Sequence, residues 1–130
     1  MIYQKGSNLF NVAIYIRLSR EDGDKEESDS VGNQRKLLTE YVAKKEDFIV
    51  YDTYIDDGYS GTNFNRPSFQ RMIADIEAGK INCVIFKDNS RLGRNYPELG
   101  RLMEDYFPQK GVRVISVLNQ IDSLKNPQSY

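Results

Sequence analysis

Apolar residues recur along this chain at two different periods, in blocks separated by polar, glycine-containing stretches. Asn11–Arg17 (NVAIYIR) is a short run rich in Val, Ile and Tyr, and it predicts a first, largely buried strand. From Val31 to Lys45 the apolar positions Val31, Leu37, Leu38, Tyr41 and Val42 fall on one helical face, with Ser30 placed to cap the N-terminus. Phe48–Ile55 (FIVYDTYI) predicts a second strand, and Asp56–Arg66 (DDGYSGTNFNR) a long, ordered loop. Pro67 then opens a helix on which Phe69, Met72, Ile73 and Ile76 repeat at three- and four-residue spacing, and Gly79 closes it. Asn82–Phe86 (NCVIF) is a short buried strand, followed by a polar connection, Lys87–Asn95 (KDNSRLGRN). Tyr96 to Lys110 reads as a further helix carrying Leu99, Leu102, Met103, Tyr106 and Phe107. Gly111 ends it, and Val112–Leu118 (VRVISVL) is a fourth strand.

Strand and helix therefore alternate four and three times, which predicts an α/β fold: one domain with a mostly parallel central sheet and helices on both faces. Ser19 to Ser30 interrupts the pattern with six acids (Glu21, Asp22, Asp24, Glu26, Glu27, Asp29) and no aliphatic residue until Val31, as a solvated loop would. Asn119 to Tyr130 reads as a polar, weakly structured tail. A fourth strand running into so short a tail suggests a domain cut from a longer protein.

Composition adds exclusions. The 130 residues are 39% hydrophobic and 28% charged, enough for one core. Eighteen Lys and Arg against nineteen Asp and Glu leave a formal charge of −1 and a pI near 5.5, unlike the strongly basic balance of a free-standing nucleic-acid binder. With no histidine and one cysteine, Cys83, a disulfide framework, a His/Cys zinc site, a Cys–His pair and a Ser–His–Asp triad are all ruled out. Cys83 reads as a small core hydrophobe. No apolar run approaches the roughly 20 residues of a membrane span, and Met1–Asn11 lacks the apolar stretch of a signal peptide. The expected location is the cytoplasm.

Ligands of such sheets collect at the carboxyl ends of the strands, and those positions share a chemistry. Arg17, Ser19 and Arg20 follow the first strand; Asp56, Asp57, Ser60 and Arg66 the second; Lys87, Asp88, Ser90, Arg91 and Arg94 the third. Any one of these arginines is most simply half of a surface ion pair. Four of them, Arg17, Arg66, Arg91 and Arg94, at adjacent strand ends favour a phosphate site, because guanidinium matches phosphate in a two-pronged geometry and stays charged. Ser19 is the candidate nucleophile: it lies two residues past Arg17, on the same face of an extended chain. A serine hydroxyl is weak unless activated, and without histidine the activation falls to the arginines or to a carboxylate such as Asp57. Taken alone, Ser19 reads as an ordinary loop or capping serine, as do Ser28, Ser30, Ser60, Ser68 and Ser90. Asp56 and Asp57 are open to three readings, a metal pair, an acid–base pair or carboxylates that hold arginines in place, and the last is favoured. Tyr51, Tyr54, Tyr59 and Tyr106 read as packing residues.

Three motifs in order, Tyr15-Ile-Arg17-Leu-Ser19, Asp57-Gly-Tyr-Ser60-Gly61 with Arg66-Pro67 behind it, and Ser90-Arg91-Leu-Gly-Arg94-Asn95, resemble those of the serine recombinases. The likeness spans Asn11 to Leu118 and is nearest to the N-terminal catalytic domain of the large members, the integrases and transposases of mobile elements. It implies a resolvase-like catalytic fold in which Ser19 attacks a DNA phosphodiester, becomes linked to a 5′ phosphate and releases a 3′ hydroxyl. Arg17, Arg66, Arg91 and Arg94 are then the phosphate contacts, with Tyr15, Gln34, Asp57, Ser60, Asp88 and Ser90 in support. Ser90 stands where many relatives carry an aspartate, a role that Asp88 is placed to take over.

The resemblance also implies partners. Strands are exchanged in a synaptic tetramer built from dimers and resealed by the reverse attack, so neither ATP nor a metal nor any other cofactor is needed. Relatives continue into a long oligomerisation helix and DNA-binding domains, and separation from these basic parts explains the acidic pI and implies a fragment that alone binds DNA weakly and does not recombine it. Two other readings compete. A receiver-like or nucleotide-binding α/β domain shares the architecture, yet lacks an acidic pair or Gly-rich turn after the first strand. A defective relative acting only by association is the other.

Overall fold

A computed structural model describes residues 9–19 and 29–125. The alternation seen in the sequence folds into five strands: β1 (Phe10–Leu18), β2 (Phe48–Asp57), β3 (Cys83–Phe86), β4 (Arg113–Ser116) and β5 (Ile121–Asp122). They lie in the order β2-β1-β3-β4-β5, with the first three pairings parallel and β5 antiparallel to β4. Tyr51 is an extra residue on β2, since Val12 pairs with Val50 and Ala13 with Asp52. From β1 the chain goes outward to β2 and then returns to the other side of β1 for β3. The strand order reverses there, between the carboxyl ends of β1 and β3, which is where ligands of open α/β sheets bind.

Both faces of the sheet are buried, so its central strands read as continuous apolar runs. Val12, Ile14 and Ile16 of β1 face α1 (Val31–Ala43), whose Leu38 and Val42 pack on them with Cys83, Ile85 and Ile115. Ala13 and Tyr15 face α2 (Pro67–Glu77), which contributes Phe69, Met72 and Ile76. Fully buried side chains such as Leu38 and Met72 each contribute roughly 2–3 kcal/mol of apolar burial. Helices on both faces match the fold expected. Tyr54 is a packing residue as expected, whereas Tyr51 and Tyr59 are exposed.

α1 begins where its cap predicts, with the Ser30 hydroxyl accepting from the Asn33 amide at 3.1 Å. α2 has no such cap from Arg66; its first amides are served by a side chain of β2, described below. The polar Lys87–Asn95 connection is not irregular throughout: Asn89–Leu92 forms a single helical turn, α3, with Asp88 accepting from the Ser90 amide. Four residues are too few to show a hydrophobic period. The next helix is not uniform either. α4 (Tyr96–Arg101) runs through a π-helical turn, Leu102–Tyr106, into α5 (Phe107–Gln109). Pro108 has no amide hydrogen, and the widened turn lets the Phe107 amide reach Leu102 O instead.

The tail also departs from expectation, since β5 lies within it. Its anchor is a buried ion pair in which Arg113 donates to both carboxylate oxygens of Asp122, at 2.9 and 2.7 Å. The Arg113 guanidinium lies 4.8 and 5.2 Å from the ring centroids of Phe10 and Phe48, which pack edge-to-face on each other. The expected loop at Ser19–Ser30 falls mostly at residues 20–28, outside the described residues. Among the described residues no helix is long and apolar enough to cross a membrane.

Candidate active site at the carboxyl ends of the strands

The carboxyl ends of β1, β2 and β3 carry most of the residues singled out by sequence. Arg17 and Ser19 come from the end of β1, Asp56 and Asp57 from the end of β2. Lys87, Asp88, Ser90 and Arg91 come from the turn after β3. Ser19 is buried, with 4% of its surface exposed.

Arg17 is wholly enclosed. Its Nε donates to Arg91 O at 3.1 Å and its Nη1 to Tyr59 O at 3.0 Å, while Nη2 donates to Ser90 O. One guanidinium thus ties the end of β1 to the loop after β2 and to α3. Its own carbonyl accepts from Arg91 Nη1 at 2.9 Å and from Gln34 Nε2 at 3.0 Å. Gln34, fully buried on α1, donates through the same nitrogen to Asp29 O at 2.7 Å. The main chain that presents Ser19 is therefore pinned from both sides. Gln34 Oε1 has no hydrogen-bond partner among the described residues.

Gly61 makes this packing possible. A Cβ there would stand 2.5 Å from Arg17 Nη2 and 2.8 Å from Arg94 Cγ. Its carbonyl also accepts from the Arg94 amide at 2.6 Å. Arg94 itself is exposed, the one arginine of the four at the solvent side.

Arg66 forms a second hub, fully buried among Tyr15, Phe64 and Phe69. It donates to Asn63 O, Tyr15 Oη and Leu92 O at 2.9, 2.9 and 2.7 Å. Tyr15 passes the chain on, donating to Asp56 Oδ2 at 2.8 Å. Asp56 in turn accepts from the Ser68 and Phe69 amides, both at 2.9 Å, so a carboxylate on a strand caps the positive end of α2. Burial raises the Tyr15 phenol well above its ordinary pKa of 10.0; Arg66 opposes this and Asp56 adds to it. Asp56 belongs to β2, not to the expected loop, and of the three readings left open its contacts fit a structural carboxylate.

The remaining candidates divide. Asp57 ends β2 and is exposed. Ser60 sits in a side-chain turn with Thr62, their hydroxyls 2.8 Å apart. Asp88 accepts from the Ser90 hydroxyl and lies 3.7 Å from Arg91 Nε. Its carboxylate therefore stands beside both Ser90 and Arg91. In the sequence Lys87 stands out only as a strand-end residue. The structure buries it and pairs its Nζ with Asp29 Oδ1 at 2.5 Å.

Comparison with known proteins bears on the fold and the family. The family described as "Resolvase, N terminal domain" matches residues 12–129. The N-terminal catalytic domain of TP901-1 integrase is similar in structure, with a TM-score of 0.77 and 33% identity, over 88% of this chain and 82% of that one. A resolvase-family site-specific recombinase from Streptococcus pneumoniae gives a TM-score of 0.71 and 28% identity, over 89% of this chain and 77% of that one. In sequence, an uncharacterized immunity region protein 3 of Bacillus phage phi105 is 38% identical over 69 residues, 53% of this chain and 82% of the phage protein.

Proposed function

This chain belongs to the resolvase family of serine recombinases, as a catalytic domain, and from that premise we propose that Ser19 is the nucleophile that cleaves and rejoins DNA. The Ser19 hydroxyl attacks the scissile phosphorus, a phosphoserine ester forms on the 5′ phosphate, and the 3′ oxygen leaves and takes up a proton. The reverse attack by a 3′ hydroxyl restores the phosphodiester and the serine. One phosphoester replaces another, so the step balances without ATP, and the arginines supply the charge stabilisation that a metal would otherwise give.

The observation that carries this reading is the pinned end of β1. Gln34 and Arg91 both hold the Arg17 carbonyl, two residues before Ser19, at the point where the strand order reverses. A nucleophile must be held within a fraction of an ångström of its line of attack. We assign the four arginines two duties. Arg94, exposed, is the one that a phosphate meets first. Arg17, Arg66 and Arg91 fix the main chain and place positive charge in a region of low dielectric, where it favours both an ionised serine and a pentavalent phosphorus. Asp57, exposed at the rim, is the carboxylate available to take the serine proton. Asp88 and Ser90 orient Arg91, and Ser60 shapes the loop that carries Gly61.

The domain acts within a larger assembly: further segments of the polypeptide grip DNA, and dimers pair into the tetramer in which strands exchange. Its setting is the bacterial cytoplasm. In the polypeptide with those segments, Ser19→Ala should abolish strand cleavage and leave DNA binding largely intact. A Ser19→Ala protein that still cuts its site would refute the assignment.

A further inference from the structure

Among the described residues that follow β1, β2 and β3, Lys87 is the lysine at a strand end, and its surroundings are unusual for that residue type. It follows β3 directly, is 8% exposed, and its ammonium faces the Asp29 carboxylate at 2.5 Å. Asp29 is also only partly accessible, and it immediately precedes the Ser30 cap of α1. Its carbonyl accepts from the same Gln34 nitrogen that holds the Arg17 carbonyl, so the ion pair stands two hydrogen-bonded steps from the strand that presents Ser19.

Lysine is seldom enclosed without a counter-charge, because desolvating an ammonium is costly. Here Asp29 supplies a counter-charge from the chain itself, beside a site whose proposed substrate is an anion. We propose that Lys87 is a phosphate-binding residue of this site, and that Asp29 is the internal anion holding its place when no DNA is bound. A phosphate oxygen and a carboxylate oxygen accept from an ammonium at the same distance, so one can replace the other without moving the lysine. A backbone phosphate near the scissile bond displaces Asp29, and the released carboxylate turns to solvent. The site gains a cation where binding occurs, and an empty site keeps its lysine neutralised. This inference rests on the phosphodiester chemistry proposed above, yet it can fail separately, because phosphate binding at Lys87 does not require that Ser19 react.

If the pair is only a structural staple, removing either partner has the same effect. If Asp29 stands in for phosphate, the two removals have opposite effects. The test is thermal unfolding of this chain in inorganic phosphate against chloride at equal ionic strength, for the parent, Asp29→Asn, Lys87→Gln, Lys87→Arg and the Asp29→Asn/Lys87→Gln double variant. Asp29→Asn should start with a lower Tm and gain about 3–6 °C from saturating phosphate. The parent should gain little, and Lys87→Gln and the double variant nothing specific. A duplex of about 30 base pairs then separates nucleic-acid phosphate from free phosphate. For the polypeptide with its DNA-binding segments, Asp29→Asn should bind it about three- to tenfold tighter. Lys87→Gln should bind it weaker, with a salt dependence shallower by roughly one counterion, and Lys87→Arg should bind near the parent level. Equal phosphate response in Asp29→Asn and Lys87→Gln, or DNA affinity unchanged or lowered in Asp29→Asn, would overturn the proposal. So would an Asp29→Asn chain that does not fold in chloride and is not restored by phosphate. The Ser19 adduct described below reports on the chemistry independently of either result.

Discussion

Arg17 and Arg91 hold each other's main chain: Arg17 Nε donates to Arg91 O at 3.1 Å, and Arg91 Nη1 donates to Arg17 O at 2.9 Å. The two residues lie 74 positions apart and belong to neighbouring strand ends. This reciprocal clasp joins the strand before Ser19 to the turn after β3, so the arginines that give the site its charge also give it its shape.

That dual role separates the arginines experimentally. Arg17→Ala removes the donor to three main-chain carbonyls, those of Tyr59, Ser90 and Arg91, the last of them buried. It should lower the stability to urea unfolding by about 3 kcal/mol. Arg94→Ala, at the exposed position, should leave the unfolding midpoint unchanged and still reduce DNA cleavage. Equal stability losses in the two variants would contradict the division of duties.

Gly61 is the position where a single methyl group should be felt at the site. Alanine there places Cβ 2.5 Å from Arg17 Nη2 and 2.8 Å from Arg94 Cγ. Because Arg17 is enclosed and bonded to three carbonyls, it has little room to yield, and a loss of roughly 1–3 kcal/mol is expected. Gly100 is the control: within α4, with nothing within 4 Å of a Cβ, its change to alanine should stabilise by up to about 1 kcal/mol. Calorimetry of both variants checks the opposite signs.

Tyr15 links Arg66 to Asp56, accepting from one and donating to the other. Tyr15→Phe keeps the ring against Phe69 and deletes only the hydroxyl. Because the partners left behind are charged and buried, the cost should be about 2 kcal/mol, more than an ordinary hydrogen bond is worth. A denaturation midpoint equal to the parent's would show that the relay is not needed to hold α2 and Arg66.

Stability should fall on the alkaline side. Burial pushes the Cys83 thiol from 9.0 up to about 12 and raises the Tyr15 phenol above 10.0. The unfolded chain loses these protons from about pH 9 upward while the folded chain keeps them, so in that range the unfolded state binds fewer protons and gains relative stability. The urea midpoint should decline between pH 9 and pH 11, and the thiol should resist a disulfide reagent at pH 8 until the chain unfolds. A thiol that reacts at once in the native protein would contradict the buried placement of Cys83.

Much of this was legible in the sequence. Period and punctuation gave the four main strands and α1 and α2 to within a few residues, because each buries an apolar stripe long enough to show. What escaped were features without such a stripe. α3 spans four residues, NSRL, in a polar connection, and β5 is two residues held by a buried ion pair. The arginines follow the strands in the sequence, yet charged residues are expected at the surface, and nothing local shows that Arg17 and Arg66 are covered. Their carbonyl acceptors come from residues distant in sequence, such as Ser90 and Leu92. Lys87 was passed over for the same reason, since its partner Asp29 is 58 residues away. Gln34 gave a fainter sign: a polar residue one turn before Leu38, on the buried side of α1.

The central claim is that Ser19 forms the bond to DNA. The measurement that tests it most directly uses the polypeptide with its DNA-binding segments and a site-containing duplex nicked so that resealing cannot occur. The trapped protein–DNA adduct is digested and its peptides are mapped by mass spectrometry. The expected product is a nucleotide joined through a 5′ phosphate to the Ser19 oxygen, with no adduct in Ser19→Ala. A nucleotide carried by any other residue, or an adduct that survives in Ser19→Ala, would contradict it.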